Sequence, residues 1–148
     1  MTRGGLGGDG DKFHIVNISA AGDHTAVAAT TNQVVFVAPC DCEIIDVGIA
    51  LTTTITAHTS DHWTIALTNQ TGDVALLSAN FDTDSDNSGN GGRAITADTL
   101  NSLCDNGSGN NYLQNAVLAK GDMILLTATK AASASNLTYP TIVVQYRP

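Results

Sequence analysis

The chain has 148 residues, six Lys and Arg against fourteen Asp and Glu, and a formal net charge of −8. That length supports one domain with its own core, and an acidic surface without a basic patch excludes DNA or RNA as a partner by simple repulsion. Thirteen of the acids are Asp and only Glu43 is Glu, while Thr, Asn, Ser and Gly abound, a palette that suits strands and turns and is poor for helices.

Residues 1–12, MTRGGLGGDGDK, read as a flexible arm, because five of the first ten are glycine and each is costly to order. Gly5-Leu6-Gly7-Gly8-Asp9-Gly10 matches G-x-G-x-x-G, but no strand precedes it and no helix follows, so a phosphate cradle is not built there. The arm also lacks the apolar core of a signal peptide, and no apolar run approaches the ~18 residues needed to cross a bilayer. Synthesis in the cytoplasm without a membrane partner is therefore expected.

Residues 13–148 read as a single β-sandwich domain. Strands are predicted at 13–18, 24–29, 33–37, 43–51, 63–68, 74–79, 123–129 and 141–147, about eight in all, from period-two alternation. Ile45, Val47, Ile49 and Leu51 are expected on one inward face, as are Trp63, Ile65 and Leu67, and Ile142, Val144 and Tyr146. Met123 to Leu126 is apolar on both faces, which predicts that one of them meets another subunit. Turns are predicted at Ala38-Pro39, at Gln70-Thr71-Gly72-Asp73 and at Lys120-Gly121-Asp122. One short helix is expected, capped by Thr96 or Asp98, carrying Leu100 and Leu103 and ending at Asp105-Asn106-Gly107.

Four groups of residues are candidates for chemistry. Asp82, Asp84 and Asp86 alternate like the start of a calcium loop, yet Asn87 stands where an EF-hand needs glycine and Arg93 where it needs a bidentate glutamate. An EF-hand is excluded, and the choice lies between a looser calcium site and a solvated acidic loop, the latter preferred. His58 and His62 would share a zinc on a helix, but their β-branched surroundings argue against one. Cys40 and Cys42 are too close in sequence for an unstrained disulfide, and with Cys104 they make an odd number, so free thiols fit best. No G-x-S-x-G, H-E-x-x-H or P-loop occurs, and a lone Glu43 offers no acid–base pair, so an enzyme is not expected. Aromatic residues are few, which leaves little for a sugar-binding platform of several rings.

The order of features then resembles a known family. The Gly-rich arm precedes Val34-Val35-Phe36-Val37-Ala38-Pro39-Cys40-Asp41-Cys42-Glu43-Ile44. Trp63-Thr64-Ile65-Ala66-Leu67-Thr68-Asn69 and Leu118-Ala119-Lys120-Gly121-Asp122-Met123-Ile124-Leu125-Leu126 follow, and the chain closes on Thr141-Ile142-Val143-Val144-Gln145-Tyr146. This layout, over residues 33 to 147, resembles the small jelly-roll decoration, or cement, proteins of tailed-bacteriophage heads. The resemblance implies an all-β, jelly-roll-like antiparallel sandwich that binds the capsid exterior as a homotrimer and bridges major capsid proteins, with no catalytic residue and no cofactor. Arg3, Leu6 and Lys12 of the arm are then the expected partner-binding residues, and the virion is the expected location. The alternative is a receptor- or glycan-binding sandwich of a virion fibre, with calcium held at Asp82, Asp84 and Asp86.

Overall fold

A computed structural model describes residues 10–18, 26–86, 92–104 and 112–148. Arg3 and Leu6, His24 and the helix stop expected at Asp105 to Gly107 lie outside the described residues.

The described chain is all-β. Its strands in chain order are β1 Lys12–Asn17, β2 Ala26–Val27, β3 Thr31–Val37, β4 Cys42–Ala50, β5 Trp63–Asn69 and β6 Val74–Ala75. They continue with β7 Phe81–Asp82, β8 Asn101–Ser102, β9 Val117–Leu118, β10 Met123–Lys130, β11 Leu137–Thr138 and β12 Thr141–Arg147. The first sheet runs β1-β12-β4, with β8 and β9 both on the far edge of β4, and the second runs β3-β10-β5, with β6 and β7 on the far edge of β5. β2 and β11 form a third, two-stranded sheet, and every pairing is antiparallel. The arrangement is sandwich-like. Lys12, expected to close the arm, is already the first residue of β1.

Alternation builds the core between the two large sheets. Trp63, Ile65 and Leu67 of β5, Ile124, Leu126 and Ala128 of β10, and Ile142 and Val144 of β12 are all buried, with the residues between them half-exposed or exposed. β4 departs from the expected phase. Gln145 pairs with Asp46 and Tyr146 with Ile44, so Ile45 is an extra residue without a ladder partner. That bulge switches the buried parity from Cys42 and Ile44 to Val47, Ile49 and Leu51, and Ile45, expected inward, is only half-buried. A second bulge leaves Val35 unmatched between the Val34–Leu125 and Phe36–Ile124 pairs, which lets Val35 and Phe36 both reach the core.

Two of the three expected turns form as read, while Ala38-Pro39 enters a bend. Asn69 Oδ1 accepts the amides of Thr71 (3.0 Å) and Gly72 (3.2 Å), closing the β5–β6 hairpin, where Asp73 takes a positive φ of 51°. Gly121, at φ 93°, makes the turn into β10, and Asp122 Oδ2 accepts the Ala119 amide at 3.0 Å.

The short helix does not form. Asp98 sits at φ 55°, outside helical space, and the Asn101 side chain takes the backbone groups that a helix would use. Its Oδ1 accepts the Thr96 amide (3.0 Å), and its Nδ2 donates to the carbonyls of Thr96 and Thr99 (both 2.9 Å). Residues 97–99 become a turn, and Asn101 and Ser102 pair with β4 instead.

One buried polar residue locks the core. Thr83 is fully buried, its Oγ1 accepts the Trp63 amide at 2.8 Å, and its own amide donates to the Trp63 carbonyl at 2.9 Å. Replacing Thr83 by Val keeps the volume but orphans a buried N–H, so T83V is expected to lower unfolding free energy by about 1–3 kcal/mol in urea titration. An unchanged midpoint would show that the bond is dispensable.

Candidate interaction surface

The sequence-predicted metal residues do not converge. Asp82 Oδ1 accepts the Asp84 amide at 2.7 Å and Asp84 Oδ1 accepts the Asp86 amide at 3.0 Å, two successive Asx turns that spend carboxylate oxygens on the loop itself. The Arg93 amide donates to the Asp82 carbonyl at 3.1 Å, which anchors a cationic residue at the base of the loop. Gly92 packs there so tightly that an added Cβ would overlap the Asp84 carbonyl and come within 2.7 Å of Ser85 Cα. Among the described residues no three His, Cys, Asp or Glu side chains group as metal ligands.

His58 lies in a loop and not on a helix. Its Nδ1 accepts the amides of Ser60 (3.3 Å) and Asp61 (3.1 Å), so the neutral ring carries its proton on Nε2. Asp61 Oδ1 is occupied by the Ser133 amide at 2.9 Å. These contacts stitch the entry to β5, beside a cavity of about 190 Å³ lined by Ile55, Thr56, His58, Asp61, Ser133 and Ser135.

All three cysteines are free thiols. Cys104 Sγ accepts the Val47 amide at 3.3 Å, and burial, partly offset by that bond, pushes its pKa up to about 12. Cys42 is also raised, first by burial and then by Cys40, Asp41 and Asp122 nearby.

What the fold does leave open is one side of the sandwich. Among the described residues β1 and β3 each pair with a single strand, so each ends a sheet there, and these two edges lie next to one another. Gln33 Nε2 donates to the Asn17 carbonyl (3.4 Å), and the rings of His14 and Phe36 meet edge-on at 5.6 Å. On β1, Phe13 and Ile15 are 62% and 65% exposed, and on β3, Val34 and Val37 are 41% and 53% exposed. Two apolar patches flank this side: Ile15 pairs with the half-buried Val143 on the outer face of the first sheet, and Val37 and Val34 pair with the half-buried Met123 and Leu125 on the outer face of the second. Met123 and Leu125 are the outward half of the strand whose two apolar faces the sequence flagged.

The backbone of β1 is open as well. The Ile18 amide donates to the Pro140 carbonyl at 2.9 Å, which sets the phase of the ladder: even residues of β1 bond to β12 and odd ones point away. Phe13 and Ile15 therefore direct their N–H and C=O groups at the free edge. Lys12, the described member of the expected partner-binding set, begins this strand and is exposed, and Asp11 beside it is held by Arg147 (2.9 Å) and Gln145 (2.6 Å). The sequence placed a strand here, but its exposure follows from its place at the end of the sheet.

No protein-family model matches the chain, and no curated protein or solved structure is significantly similar to it.

The raised Cys104 pKa has a pH signature. The folded state holds the thiol proton above the ordinary value of 9.0, so the unfolded chain releases it first and stability falls as pH rises from about 9 towards 12. Denaturation midpoints across that range are expected to decline more steeply for the native protein than for C104A, and parallel curves would contradict the assignment.

Proposed function

We propose that this chain is a structural virion protein, a capsid decoration or cement protein that binds the outside of a tailed-phage head and bridges neighbouring major capsid proteins. In this reading the sandwich has jelly-roll connectivity, works as a homotrimer and carries out no catalysis. The single observation that supports it best is the open β1/β3 side, where an apolar, hydrogen-bond-ready edge strand follows directly from the Gly-rich arm.

Edge strands of free-standing proteins are usually shortened, charged or covered, because an unpaired ladder invites another chain. β1 has only Lys12 at its start as a guard and presents two large apolar side chains beside its unpaired backbone. Such an edge suits strand addition, with main-chain bonds supplying affinity and Phe13 and Ile15 supplying the fit. Arg3, Leu6 and Lys12 extend the contact along the arm, and a trimer multiplies modest contacts into durable attachment. The net charge of −8 keeps the subunit away from packaged nucleic acid.

Because Phe13 and Ile15 are exposed, a Phe13→Asp, Ile15→Asp double variant is expected to change stability by only about 0.5 kcal/mol per site. It should nevertheless co-sediment with phage heads at least roughly tenfold more weakly than the native trimer, a loss of about 1.4 kcal/mol. Decoration at the native level by a folded double variant would reject the edge as the docking surface.

A further inference from the structure

A second feature lies where β1 ends. A cavity of about 440 Å³ opens between Asn17, Thr52, Tyr139, Pro140 and Thr141. Its volume falls within the ~300–1,000 Å³ typical of small-molecule sites. None of these five residues is charged, so among the described residues nothing in the lining pairs with a phosphate, a carboxylate or an ammonium group, and no His, Cys, Asp or Glu stands there. They present instead one aromatic ring, one amide and three hydroxyls, on Thr52, Tyr139 and Thr141.

The ring is held out at a conformational cost. Tyr139 has a φ of 49°, a left-handed backbone unfavourable for any aromatic residue, and it precedes Pro140, which restricts it further. Both neighbours are pinned: the Thr138 carbonyl accepts the Thr52 amide at 3.2 Å, and the Pro140 carbonyl accepts the Ile18 amide at 2.9 Å. Strain of this kind often serves packing, but here the side chain is 54% exposed. Of the five non-glycine residues at positive φ among the described residues, Tyr139 is the one that carries an aromatic ring, and that ring is exposed. Beside it Thr141 Oγ1 donates to Asn17 Oδ1 at 2.9 Å, fixing the amide plane and leaving the Asn17 nitrogen uncommitted among the described residues.

We propose that this cavity is a binding site for a neutral carbohydrate, one or two sugar units in size. The apolar C–H face of a pyranose would stack on Tyr139, and its hydroxyls would accept from Asn17 and donate to Thr52 and Thr141, whose own hydroxyl protons go to the Thr138 carbonyl and Asn17 Oδ1. A single ring makes a weak site, with dissociation in the millimolar range. The proposal is independent of capsid docking, since it is read on the isolated protein, and it does not involve the acidic loop at Asp82 to Asp86.

The test is saturation-transfer NMR on the full chain with glucose, galactose, mannose and N-acetylglucosamine as probes, with chelator present. At least one sugar is expected to receive saturation from the native protein. Tyr139→Gly relieves the backbone and removes the ring, so its thermal midpoint should stay level or rise while sugar affinity falls by roughly tenfold, the scale of one aromatic contact. Asn17→Ala provides a second variant without a backbone change and should weaken binding several-fold. No transfer to any of the four sugars, or transfer undiminished in both folded variants, would overturn the proposal. Binding abolished by chelator would overturn it too, since it would place the sugar at a metal.

Discussion

A β-sheet that does not close on itself must end, and at each end half of the backbone donors and acceptors of the last strand have no partner. In this protein β12 and β10 lie between two neighbours, while β4 and β5 have their outer edges covered piecemeal by β8 and β9 and by β6 and β7. Among the described residues the longest unpaired ladders are therefore those of β1 and β3. Because the two large sheets face each other, these two edges come together on one side of the molecule, with the exposed Phe13 and Ile15 on the outer face of the first sheet and Val34 and Val37 on the outer face of the second. The polar and apolar requirements of that side are alike unmet among the described residues.

The rest of the surface is arranged differently. Acidic side chains elsewhere are tied into local structure: Asp46 accepts the Ser102 hydroxyl at 2.6 Å, Asp41 the Lys120 amide at 2.9 Å and Asp61 the Ser133 amide at 2.9 Å. Asp82 and Asp84 brace their own loop. The carboxylates described so far thus serve turns and strand ends, in keeping with a chain whose acids are nearly all the short, turn-forming Asp. An assembly role asks for such a framework, stable in itself and open along one side.

Much of the fold was legible from alternation because burial on one sheet face imposes a period of two. Trp63 to Asn69 and Thr141 to Arg147 follow it closely. Where it failed, a specific local event intervened. At Ile45 a bulge added a residue without any marker in the sequence, since Ile44 and Ile45 are equally apolar and only the partner strand decides which one turns inward. At Thr96 to Asn101 a plausible cap signal was outcompeted by one asparagine side chain that bonds three backbone groups of its own loop. The two-residue strands β7, β8, β9 and β11 exist only as pairings with distant partners and leave no pattern of their own. The candidate surfaces were less visible still. Phe13 and Ile15 read as ordinary strand residues until the sheet order left them at an edge, and the display of Tyr139 depends on a backbone angle that a Tyr-Pro pair does not advertise.

The most direct test of the open edge is backbone amide hydrogen exchange, residue by residue along β1, in the isolated protein and on decorated phage heads. The account predicts slow exchange at His14 and Val16, which bond to β12, and at Ile18, which bonds to Pro140, and fast exchange at Phe13 and Ile15 in the isolated protein, with those two becoming protected on the particle. Uniform protection along β1 in the isolated protein, or exchange at Phe13 and Ile15 that stays fast on the particle, would contradict it.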